Sequence, residues 1–171
     1  MLGLLTPAVV GSLLLATLST IADYVWFLNI PQHQVASGAI HGATLFAALG
    51  LYLGWRKGQP AMGLVGGILS GTIAALSFYA LAPIGGYSMM LVSWLLLWIM
   101  LAALQTHLDG RLNMAKAVAR GIITSIVAAV GFGVVLFQLY RGWPPETFPA
   151  FKHFVAWTMA YLPGLYVLLK R

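Results

Sequence analysis

The chain reads as six long apolar stretches separated by short breaks. They cover about residues 4–28, 34–55, 61–82, 87–107, 117–140 and 151–169. A helix needs about 20 predominantly apolar residues to cross a bilayer, and each stretch meets or approaches that length. The runs are continuously apolar and do not alternate, which predicts helices and argues against a barrel. The breaks carry turn chemistry: Arg56-Lys57-Gly58-Gln59-Pro60, Pro83-Ile84-Gly85-Gly86, Asp109-Gly110-Arg111 and Gly142-Trp143-Pro144-Pro145 all disfavour a continuing helix. Such short connections predict antiparallel neighbours. The expected fold is all-α: one transmembrane domain over residues 1–171, a bundle of six transmembrane helices.

Composition supports the membrane reading. Only 7% of residues are charged, against about 25% in a soluble domain, so a water-facing shell cannot be built. Hydrophobic residues make up 61% of the chain, and its mean hydropathy is +0.92. The first stretch has no preceding Lys or Arg and is longer than a signal-peptide core of roughly 7–15 residues, so it is read as a span. There is no cysteine, which removes thiol catalysis, disulfides, iron–sulfur clusters and thiolate metal sites.

The charge also orients the chain. With six spans, Arg56, Lys57, Arg111, Lys116, Arg120, Lys170 and Arg171 fall on one side, and Arg141 and Lys152 on the other. The positive-inside rule then makes both termini cytoplasmic. The net charge of +6 is explained by topology and lipid headgroups; no basic stripe interleaves with exposed aromatics, so nucleic acid is not an expected partner. Few loops and no cysteine suit a bacterial inner membrane.

Small residues mark packing faces. Gly38, Gly42, Gly50 and Gly54 recur in the second stretch with Phe46 in the gap, and Gly67 and Gly71 recur in the third. Such spacing lets helix backbones approach closely in lipid. Packing within the chain is the plain expectation; a homo-oligomer or a membrane protein partner is the alternative. Trp94 and Trp98, one turn apart with Gln105 on the same face, either line a cavity or face lipid.

Asp23 is the sharpest chemical lead. A charge within a span costs about 2.5–3.5 kcal/mol at the helix centre on insertion scales, so it tends to have a partner. Ser12, Ser19 and Asp23 share one helix face, as do Gln34, Ser37 and His41 on the second stretch. His33 lies in the short turn between. An Asp–His pair can ionise together, bind a cation or relay a proton. The competing reading is an interfacial Asp23 that caps local backbone. His153 and Trp157, one turn apart at the start of the sixth stretch, are either interface anchors or the rim of an outward-facing pocket. Asp23 and His41 would be its floor, and the Trp143-Pro144-Pro145 loop its lid. The candidate ligand-binding set is therefore Asp23, His33, Ser37, His41, His153 and Trp157, while His107 is expected at the surface.

Other chemistries have less support. Haem would need His41 and His153 as axial ligands. A metal site from Asp23, His33 and His41 lacks compact motif spacing. No serine elbow or phosphate-cradling strand–glycine motif is present, so no catalytic residue is assigned and an enzyme is not expected. The leading expectation is a small-molecule or ion binding and transport component. A non-catalytic subunit of a larger membrane complex is the second, and a haem-binding redox protein the third. No motif identifies a family. Six spans in a chain of this size resemble the small substrate-binding subunits of vitamin transporters, a likeness of layout alone that implies a membrane-embedded ligand site.

Overall fold

Without water to bond to, a membrane-embedded backbone must satisfy its own polar groups, and a long apolar segment does so as a helix. The computed structural model describes residues 2–29, 35–110, 113–135 and 150–170. They form six helices: α1 (Leu2–Asn29), α2 (Val35–Trp55), α3 (Pro60–Gly85), α4 (Met89–Leu108), α5 (Met114–Gly133) and α6 (Ala150–Leu169), with one 3-10 turn, Gly86–Ser88, before α4. Helices α1 to α5 are long and apolar enough to cross a membrane, as expected of a multi-pass membrane protein. The 20 residues of α6 would reach about 30 Å, but they include Lys152, His153 and three polar-tipped aromatics and do not meet the same apolar standard. Two of those aromatics, Trp157 and Tyr161, are buried against other helices.

The helices form a closed ring. Each packs on its neighbour in sequence, and α6 returns to α1. Neighbours run antiparallel: Asp23 faces His41 and His153, Ser77 meets Ser93, and Trp94 meets Ser125. The core between them holds Leu15, Leu49, Leu53, Leu97, Trp98, Leu101, Leu165 and Leu168. Leu14, Ile40, Leu91, Ile126 and Val130 are exposed on the outside, a surface suited to lipid. Interior and exterior are thus similarly apolar, and the helices differ mainly in what holds them together.

Two boundaries move from the sequence expectation. Helix α5 begins at Met114, three residues early, because Asn113 caps it: its side-chain oxygen accepts the Lys116 backbone N–H at 3.0 Å. Helix α3 runs through Pro83 to Gly85 and stops at Gly86, whose φ of +62° favours glycine and whose N–H bonds Ala82 O. The expected end of the fifth stretch, residues 136–140, lies outside the described residues.

The glycine faces of α2 and α3 pack on each other. A methyl group at Gly50 would lie 2.6 Å from Gly67 Cα and would also strike the Gly63 carbonyl; one at Gly42 would lie 2.6 Å from Gly71 O. Backbone touches backbone along this seam. Elsewhere a glycine admits a ring: Tyr79 fills the space over Gly38, and Tyr52 that over Gly11. The Tyr52 hydroxyl donates to the Pro7 carbonyl and ties α2 to α1.

The seam predicts a contrast. Gly50→Ala forces two backbones apart and should cost about 1–3 kcal/mol, as overpacking does. Gly66→Ala meets only the flexible end of Leu104 and should cost less than about 1 kcal/mol. Unfolding free energies in mixed detergent micelles measure both; equal costs would contradict the backbone contact.

Candidate functional site

Helices α1 and α6 run antiparallel, so residues spaced by one turn on each form matching rungs. Ser19 and Asp23 are one turn apart on α1; His153, Trp157 and Tyr161 follow at one-turn intervals on α6. The first rung joins Ser19 and Tyr161, whose hydroxyls lie 2.8 Å apart. The second is Asp23. Its Oδ2 accepts from Trp157 Nε1 at 2.7 Å and lies 2.8 Å from His153 Nδ1. Its Oδ1 lies 3.1 Å from His41 Nε2, contributed by α2. One carboxylate thus joins three helices through three ring nitrogens.

The charge logic is simple. An ionised carboxylate only accepts, so each ring nitrogen facing it carries its proton. Bonds to an ionised acceptor are roughly twice as strong as neutral ones, which offsets the burial of the charge. With both imidazoles neutral the cluster carries one negative charge, and each proton taken up by a ring adds one positive. The side chains of His41 and His153 are 22% and 26% exposed, and that of Asp23 12%, so the described residues do not fully enclose the cluster.

A wall of aromatic rings backs the cluster. Trp157 stacks on Tyr161 at 5.3 Å and meets Phe132 at 4.8 Å and Trp94 at 6.2 Å. Trp94 also contacts Trp98, and its indole N–H donates to the Ser125 carbonyl at 3.3 Å. Both span-four tryptophans therefore face protein. Trp98 is fully buried, and its N–H has no partner among the described residues.

The structure brings Asp23, His41, His153 and Trp157 together. Ser37 lies on α2 one turn before His41 and makes no hydrogen bond to any of the four. Ser12 donates to Val9 O within its own helix. His107 is exposed in the last turn of α4. His33 and Gln34 lie outside the described residues, as do Arg141 and the loop with Trp143, Pro144 and Pro145. Tyr161 and Phe132 were not foreseen. Tyr161 was recoverable from register, since it follows Trp157 by one turn just as Ser19 precedes Asp23.

Among the described residues, no group of three His, Asp or Glu is arranged to hold a metal ion. The cluster's nitrogen–oxygen distances are those of hydrogen bonds. His41 presents Nε2 and His153 presents Nδ1 to the same carboxylate, Asp23. No protein-family model matches the chain, and neither a curated protein nor a solved structure matches it.

The rungs differ in predicted strength. Trp157→Phe keeps a ring in the aromatic wall but removes a donor to a charged acceptor, a loss of about 1.5–3 kcal/mol. Tyr161→Phe removes a neutral hydroxyl pair, worth about 1 kcal/mol. Unfolding measurements should rank Trp157→Phe as the costlier change, and a Ser19→Ala/Tyr161→Phe cycle should show coupling near 1 kcal/mol.

Proposed function

We propose that the protein is a small-molecule or ion binding and transport component of a membrane, with Asp23, His41, His153 and Trp157 as its binding site. The ion this site handles is a proton. The observation that carries this reading is a carboxylate within a membrane-length helix bonded to two imidazoles. Both imidazole and carboxylate exchange protons, and an ionisable group held within a span is a default candidate for ion or proton traffic. Partial exposure of the three side chains supports exchange with the surroundings.

On this reading all six helices span, with α6 sheltered between α1 and α5. Among the described residues, Arg56, Lys57, Lys116, Arg120 and Lys170 lie at the end remote from Asp23, and Lys152 near the Asp23 end. The positive-inside rule favours the first end as cytoplasmic, which puts both termini inside and opens the site outward, across a membrane such as a bacterial inner membrane. The glycine faces of α2 and α3 are occupied by each other, so a membrane partner or second copy would use other faces.

Liposomes loaded with a pH-sensitive dye test the proposal. An imposed pH gradient should drive proton flux above the protein-free rate with the wild-type chain, and Asp23→Asn should return it to that rate while the purified variant remains folded. Wild-type flux equal to empty liposomes, or undiminished flux through Asp23→Asn, would sink the reading and favour a non-catalytic subunit.

A further inference from the structure

At the end of the bundle remote from Asp23, the α2–α3 turn, the end of α4 and the start of α5 border an open cleft of about 430 Å³. Its walls carry Lys57, Thr106, Asp109, Asn113, Lys116 and Arg120. The single acid there is already matched: Asp109 forms an ion pair with Lys57 and accepts from Gln105 Nε2 at 3.3 Å. Lys116 and Arg120 have no such match among the described residues. The Arg120 guanidinium makes a long bond of 3.5 Å to the Leu168 carbonyl, which positions it without neutralising it. The Lys116 ammonium makes no hydrogen bond or ion pair with any described residue. Asn113 accepts the Lys116 backbone N–H through its oxygen, which leaves its amide N–H groups as donors. Thr106 donates to Ala102 O at 2.7 Å and is satisfied within α4.

Two unmatched cations and an amide donor around one cleft make an anion site. Guanidinium suits a tetrahedral oxyanion because it presents paired N–H groups, and ammonium adds a mobile point charge. Basic clefts between helices at a membrane surface recognise phosphate headgroups on the same grounds. The cleft is larger than one phosphate group and leaves room for more of a headgroup. We infer that it binds a phosphate group, with Lys116 and Arg120 meeting its oxygens, Asn113 donating a further hydrogen bond and the Lys57–Asp109 pair forming the other wall. The phosphate belongs either to an anionic phospholipid or to a soluble phosphate. The inference does not rest on the role proposed for Asp23, which lies at the opposite end.

Two measurements on the full chain separate the sources. Native mass spectrometry after release from nanodiscs of mixed phosphatidylglycerol and phosphatidylcholine reads retained lipid. Thermal unfolding in neutral detergent with added inorganic phosphate reads the free anion. Selective phosphatidylglycerol retention without a phosphate response identifies a lipid headgroup; a phosphate-dependent rise in unfolding temperature identifies a soluble ligand. In the responding assay, Lys116→Gln and Arg120→Gln should each weaken binding about fivefold, the value of one cation near a charged surface. Asp109→Asn should strengthen binding, because it frees Lys57, and Lys152→Gln should change nothing. The inference is overturned if neither assay responds, or if Lys116→Gln binds as wild type. The Lys116 side chain is exposed and makes no hydrogen bond or ion pair among the described residues, so its variant should fold.

Discussion

The bundle closes around one carboxylate. Helices α1 and α6 are the ends of the chain's helical order, with no connecting turn to bring them together. In a soluble protein, apolar burial would join them; between helices in lipid that drive is absent, because the lipid is as apolar as the interface. What remains is packing and polar pairing. Asp23 supplies the pairing, since an ionised group among apolar neighbours is costly until donors surround it. Trp157 and His153 from α6 and His41 from α2 surround it, and the ring is complete.

Two kinds of seam result. Between α2 and α3 the glycines have removed every side chain that would keep the backbones apart, and Gly42, Gly50 and Gly54 meet Gly63, Gly67 and Gly71. Around α4, α5 and α6, aromatic contacts among Trp94, Phe132, Trp157 and Tyr161 join close backbone approaches at Gly121–Ile99 and Gly131–Met159. The candidate site sits where these regimes meet.

The helices and their packing faces could be read from the chain because continuous apolarity and four-residue glycine spacing are local signals. Asp23 with His41 could be read for a similar reason: two polar faces one short turn apart leave few other meeting places. His153 and Trp157 were legible as a pair but not as partners of Asp23 by direct bonds, since that needs the closure of α6 on α1, a contact set by the whole ring. The inward turn of Trp94 and Trp98 was not legible, because a tryptophan on an apolar helix fits lipid and protein equally well. The early start of α5 was visible in principle, as Asn113 is a good cap, but the Lys and Arg around it read as loop. The apolarity of α6 was overestimated because its polar aromatics serve the interior.

The seams also decide where the Asp23 cluster can give way. Of the sequential pairs, α1 and α2 touch most lightly, while α2 is locked to α3 along its glycines. The α2–α3 pair is therefore stiffer within itself than in its attachment to α1. On the other side, Asp23 shares Oδ2 with both donors of α6, and Ser19–Tyr161 adds a second rung. Among the described residues, His41 is the cluster's link to α2, and at 3.1 Å it is the longest of the three. If the site works as proposed, a proton or ligand that competes for Asp23 loosens the His41 link before the α6 side of the cluster.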